Sequence, residues 1–195
     1  MRRLTITFLP LLLAVATPAI AQEAPSGPDA ERIMKARGAI KGLAEGLKEK
    51  LVGAMKEGGP VAALDVCKLD APKITGEQSK ASGVTVARTA LKFRNPDNAP
   101  DAFEKRVMEK FVADLKGGAD AAKLEHGETV VEGGKKTFRY MKPIMTAGNP
   151  CLACHGAELK PEVAAKIKDL YPADQATGFA AGDMRGAFSV KQAVE

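Results

Sequence analysis

From residue 29 onward, apolar side chains return every three or four positions. Ile33, Met34, Ala36, Ile40, Leu43, Ala44, Leu47, Leu51, Ala54 and Met55 recur with Lys and Glu between them, the spacing of an amphipathic helix. Asp29 caps it and Glu31 sits in its first turn. Gly58-Gly59 predicts its end, and Pro60 suits the first turn of a second helix, where a missing N–H costs nothing. That helix carries Val61, Leu64, Cys67, Leu69 and Ile74 toward Gly83, with a kink predicted at Pro72, soon after Cys67. The period then changes. Residues 84–91 alternate and are β-branched, which predicts a strand. A polar loop with two prolines covers 92–101. Asp101 caps a periodic helix to about Lys116, whose face is Phe103, Val107, Met108, Phe111, Val112 and Leu115, and 119–124 predicts a short helical turn. Strands at 125–131 and 136–145 flank Gly133-Gly134, a hairpin signal. A short helix at 161–170, a long loop at 171–182 and a strand at 185–192 complete the chain. Hairpin-linked strands with helices between them predict an α+β fold built on an antiparallel sheet.

The first residues have a different pattern. Arg2 and Arg3 precede a short apolar run broken by Pro10, and Ala19-Ile20-Ala21 is a small-residue cleavage site. This predicts a secretory signal peptide, 1–21, removed after Ala21, and a periplasmic location for the product. The run is too short to span a membrane comfortably, so no span is expected after cleavage. Residues 22–28 read as a flexible leader and 29–195 as one domain. The net charge of +5 includes Arg2 and Arg3, and the remaining basic residues are scattered rather than clustered. Nucleic-acid binding therefore finds no support.

Cysteine usage sharpens the picture. Of the three cysteines, two lie in Cys151-Leu152-Ala153-Cys154-His155, the attachment signature of a c-type heme. Two thiols at this spacing can bond two vinyl groups of one porphyrin, and the histidine then lies under the iron as proximal ligand. A thioredoxin-like pair would need a βαβ unit, a zinc site two further ligands, and a plain disulfide would leave His155 unexplained. The expected cofactor is one covalently bound heme c. The motif follows a hairpin near the C-terminal end, which sets this chain apart from the nearly all-helical small cytochromes c.

Several stretches together resemble a known family: Val66-Cys67-Lys68-Leu69-Asp70-Ala71-Pro72, Arg94-Asn95-Pro96-Asp97-Asn98-Ala99-Pro100, Phe138-Arg139-Tyr140-Met141-Lys142-Pro143, the heme motif with Gly156, and Tyr171-Pro172 through Gly178 to Asp183-Met184-Arg185-Gly186-Ala187-Phe188-Ser189-Val190. They resemble a bacterial c-type heme-binding domain, formerly a domain of unknown function, found alone in exported cytochromes and as the sensor part of histidine kinases and chemoreceptors. The resemblance spans residues 30 to 192. It implies a PAS-like antiparallel sheet with N-terminal helices, and iron held by His155 and, on the distal side, Cys67.

Read from the residues alone, the distal ligand stays open. Cys67 is the leftover thiol on an apolar helical face, but a free cysteine is commonly an inert core residue. His126 and the methionines 34, 55, 108, 141, 145 and 184 are the competitors. Arg88, Arg94, Arg139 and Arg185 are candidate propionate contacts, because a guanidinium suits a carboxylate bidentately. Tyr140 and Tyr171 are candidate hydrogen-bond donors nearby. A thiolate ligand favours ferric iron and a low potential, which suits a redox or diatomic-gas sensor, with NO or CO entering the distal site. A single-heme electron-transfer protein is the alternative. An enzyme is not expected, because only His126 would remain for acid–base work. The partner would be a redox or signalling protein, and the glycine-bearing first helix would also suit a homodimer.

Overall fold

The structure is a computed structural model that describes residues 28–194. The signal-peptide and leader assignments lie outside the described residues, apart from Pro28. Helix α1 (Pro28–Asp65) starts at that proline and is broken where the sequence predicts. Gly58 and Gly59 leave helical geometry, Gly59 with φ 67°, a left-handed value that favours glycine, and Pro60 restarts the helix. The kink expected at Pro72 takes a specific form. Residues Val66–Asp70 make one π-helical turn, in which the Ala71 N–H reaches back to the Val66 carbonyl. Helix α2 (Ala71–Ser82) continues from it with Pro72 in its first turn. A proline cannot donate to the ladder, and the wider turn lets the helix resume without that bond. Cys67 lies inside this turn.

Four antiparallel strands follow: β1 (Thr85–Thr89), β2 (His126–Glu132), β3 (Lys135–Met145) and β4 (Met184–Ala193), in the order β1-β4-β3-β2. Gly133 (φ 58°) and Gly134 (φ 77°) close the β2–β3 hairpin, a turn that needs positive φ at both positions. Helix α3 (Ala102–Lys116) starts at a complete capping box: Asp101 accepts from the Glu104 N–H at 2.8 Å, and Glu104 accepts from the Asp101 N–H at 3.1 Å. Residues 119–124 form irregular turns, not the expected helical one.

The strand period of two divides the core. Phe138 and Tyr140 of β3, with Val86 and Val190, meet Ala36, Ala39, Ile40 and Leu43 of α1. Met141 and Ala187 face the other way, onto Phe103, Val107, Met108 and Phe111 of α3. A third cluster joins Leu64 of α1 to Val163 and Ile167 of helix α5 (Pro161–Leu170), with Cys154 packed against it. Among the described residues no helix is long and apolar enough to cross a membrane.

Candidate functional site

A cavity of about 310 Å³ opens between the later part of α1, the π turn, the β1–β4 pair and the segment leading into the Cys151 motif. That volume falls in the range of about 300–1,000 Å³ usual for cofactor sites. Its walls are largely apolar, with Leu47, Leu51, Leu64, Ile144 and Phe188 among them. All three cysteines and His155 line it, although Cys67 and the motif come from distant parts of the chain.

The motif residues are presented by helix α4 (Leu152–His155), a single turn in which the His155 N–H bonds the Cys151 carbonyl at 3.0 Å. Positions i, i+3 and i+4 share one helical face, so one turn suffices to put Cys151, Cys154 and His155 on the same wall. Gly156 ends the turn and is required there by close approach, because an added Cβ would stand 2.6 Å from the Leu152 carbonyl oxygen. Burial against α5 and α1 raises the pKa of the Cys154 thiol.

His155 is oriented from behind by the loop between α5 and β4. Its Nδ1 lies 2.7 Å from the Ala176 carbonyl oxygen and 3.2 Å from Arg185 Nε. The Ala176 carbonyl can only accept and the Arg185 Nε–H can only donate, so the two contacts ask for opposite tautomers. The shorter one assigns the hydrogen to Nδ1, donating to Ala176, and leaves the Arg185 Nε–H without an acceptor there. Nε2 is then left with its lone pair. Burial, followed by the charges of Arg185 and Arg94, pushes the His155 pKa down to about 3, so the ring is a neutral donor. The loop is pinned in turn: the Phe179 N–H bonds the His155 carbonyl at 2.9 Å, and the Gly178 N–H bonds that of Gly156 at 3.0 Å.

The four candidate arginines separate. Arg88 lines the cavity and has no hydrogen bond or ion pair to the described residues; burial lowers its pKa, which the nearby Cys67 and Tyr171 oppose. Arg185 also lines it, gives Nη1 to the Lys92 carbonyl at 3.1 Å, and is pushed down to about 10 by burial and then by Arg94. Arg94 reaches the wall but is committed to Asp174 and to the carbonyls of Cys154 and Ala176. Arg139 corrects the sequence expectation. It does not line the cavity, and its guanidinium is held by Asp101, Glu104 and Glu132 over the Phe103 ring. The cause is parity, since residue 139 faces α3 while 138 and 140 face α1.

The competing distal donors thin out in the same way. His126 sits on β2 beside Phe103 and Glu128. Met34 is exposed, and Met108, Met141 and Met184 pack with α3. Met55 and Met145 remain on the cavity wall with Cys67. Tyr140 gives its hydroxyl to Glu125 at 2.6 Å rather than to the cavity. Tyr171 is buried close to Cys67, with Lys68 Nζ 5.1 Å above its ring. The sequence reading missed Asp174 and Ala176, which act through a loop with no periodic signal.

Among the described residues no three His, Cys, Asp or Glu side chains stand close enough to hold a bare metal ion. Two thiols within one helical turn of an imidazole, and a third thiol lining the same cavity, suit a porphyrin-bound iron. The apolar walls, the paired thiols and the free Nε2 fit such a group as well.

The sequence model of the Tll0287-like family matches residues 20–193. The chain belongs to this family. A further Tll0287-like fold is seen in the crystal structure of the cyanobacterial heme-protein Tll0287, which is 30% identical, with a TM-score of 0.60 over 87% of this chain and 98% of that one. No curated protein matches the chain.

Proposed function

We propose that this Tll0287-like chain is an exported mono-heme c-type protein of the periplasm, in which Cys151 and Cys154 hold the heme covalently, His155 is the proximal ligand and Cys67 the distal one. The single observation that carries the reading is the convergence of these four side chains on one apolar cavity, with His155 Nδ1 held 2.7 Å from the Ala176 carbonyl oxygen. That the related Tll0287 is a heme-protein supports it. Bound there, heme supplies a redox-active iron. The chain's own residues do the rest. His155 donates as a neutral imidazole fixed by Ala176. Cys67, held in the π turn, donates as a thiolate and lowers the potential. Arg88, free in the wall, takes a propionate, with Arg185 as a second cation.

The PAS-like description of the sheet belongs to this reading, as does a role as a redox or diatomic-gas sensor. With the heme held by His155 and Cys67, a gas such as NO or CO would compete with Cys67 for the iron. The state is passed to a redox or signalling partner, or to a second copy of the chain, and no catalytic step is assigned. One observation favours a second reading. Met55 and Met145 line the cavity with Cys67, and a thioether in place of that thiol as the second ligand would raise the potential and suit electron transfer.

The test is an absorption spectrum of the chain matured in cells competent for c-type attachment, ferric and then reduced under CO. A low-spin ferric spectrum with thiolate features, altered in Cys67→Ala and giving a CO adduct on reduction, is the expected result. Identical ferric spectra for wild type and Cys67→Ala would remove Cys67 from the iron, and absence of heme absorbance would end the reading.

A further inference from the structure

We propose that Arg94 and Asp174 are positioning residues for His155, acting through the Ala176 peptide; for the loaded protein this rests on the heme reading above. The two side chains come from loops 80 residues apart and form an ion pair with Nε to Oδ1 at 2.9 Å, their side chains only 7% and 9% exposed. A buried pair of this kind contributes little net stability, because desolvation offsets the attraction. Its geometry is more informative. The Ala176 N–H donates to Asp174 Oδ1 at 3.0 Å. The Ala176 carbonyl accepts from His155 Nδ1 at 2.7 Å and from Arg94 Nη2 at 3.2 Å. The same Nη2 donates to the Cys154 carbonyl at 2.7 Å. One peptide unit is thus held at both ends, and the guanidinium that holds it also grips the backbone next to His155.

The consequence is chemical. The partner of the non-coordinating ring nitrogen sets the tautomer and the donor strength of an imidazole ligand. A loop carbonyl has no reason to stay on Nδ1 unless it is fastened, and the Arg94–Asp174 pair fastens it. Without the pair the Nδ1–H bond loosens, the hydrogen redistributes between the two ring nitrogens, and His155 becomes a weaker donor.

Two arms test this on the full chain. The first needs no heme: long-range proton–nitrogen NMR of histidine-labelled protein before attachment, with a His126→Gln variant to assign the two rings. Wild type should show His155 as the single Nδ1–H tautomer, and the double variant Arg94→Gln/Asp174→Asn a mixture. Arg94→Lys, which keeps a cationic donor, should restore part of the preference. If the double variant does not fold, Asp174→Asn alone is read in the same way, with a smaller shift in the same direction. The second arm is the midpoint potential of the heme-loaded protein, expected to move to more positive values in the variant, since a weaker imidazole stabilises ferric iron less. A folded variant with an unchanged His155 tautomer overturns the proposal. Absence of heme from wild type would defeat the earlier reading and leave the first arm to decide this one.

Discussion

Replacing Gly156 by alanine should destabilise the protein, although an unfolded-state argument gives the opposite sign. Gly156 has φ −68° and ψ 175°, a conformation open to any residue. On backbone entropy alone, alanine at such a position stabilises by about 0.4–1 kcal/mol. The packing opposes this. The residue is buried, and its Cβ would lie 2.6 Å from the Leu152 oxygen and 3.4 Å from the Leu152 Cβ, with the oxygen also accepting the Gly156 N–H at 3.0 Å. The obstacle is backbone rather than a flexible side-chain tip, so α4 itself must move. Overpacking of this kind costs roughly 1–3 kcal/mol, which after the entropic gain leaves a net loss between about 0 and 2.6 kcal/mol, centred a little above 1. Gly38 is the internal control. It is exposed within α1 and an added Cβ meets nothing within 4 Å, so Gly38→Ala should stabilise by about 0.5–1 kcal/mol. Urea unfolding of the two variants and wild type is the assay. The displaced α4 should also lower the yield of covalent heme attachment in Gly156→Ala and leave that of Gly38→Ala unchanged. A Gly156→Ala protein at least as stable as wild type would refute the reasoning, because the close approach would then not exist.

Arg88→Leu and Arg139→Leu should part company: the first alters the heme spectrum or its retention with little loss of stability. The second leaves Glu104 and Glu132 without their cation, Asp101 keeping Lys191 at 3.1 Å, and should cost roughly 2–3 kcal/mol, below the figure for a fully buried pair because Glu132 is part-exposed, with the heme spectrum intact. Equal spectral effects would place Arg139 in the cavity after all. Acid should weaken the fold through Glu125 and Asp101. Burial raises both pKa values, but hydrogen bonds from Arg37 and Tyr140 to Glu125, and from the Glu104 N–H, Arg139 and Lys191 to Asp101, outweigh it and hold both low. A depressed native pKa gives stability that is complete above the ordinary carboxylate range and lost as pH falls through and below it. The urea midpoint should therefore drop below about pH 4.5, less steeply in Glu125→Gln; an unchanged slope in that variant would show that Glu125 does not contribute.

Sequence by itself determined the local order. The Gly58-Gly59-Pro60 break, the Asp101 cap, the Gly133-Gly134 hairpin and the alternation of β1 are decided by φ preferences, capping groups and side-chain period, all properties of neighbouring residues. The Cys151–His155 spacing put two thiols and an imidazole on one face for the same reason, since one helical turn sets the geometry. Tertiary structure decided which distant groups share a wall. Residue type gave four equivalent arginines; strand parity sent Arg139 to the α3 face, an ion pair took Arg94, and Arg88 was left facing the cavity. The six methionines fell to Met55 and Met145 on the same grounds. The role of Ala176 and Asp174 had no sequence signal at all. A backbone carbonyl belongs to every residue, and only the path of the loop behind His155 makes this one the acceptor that orients the ring.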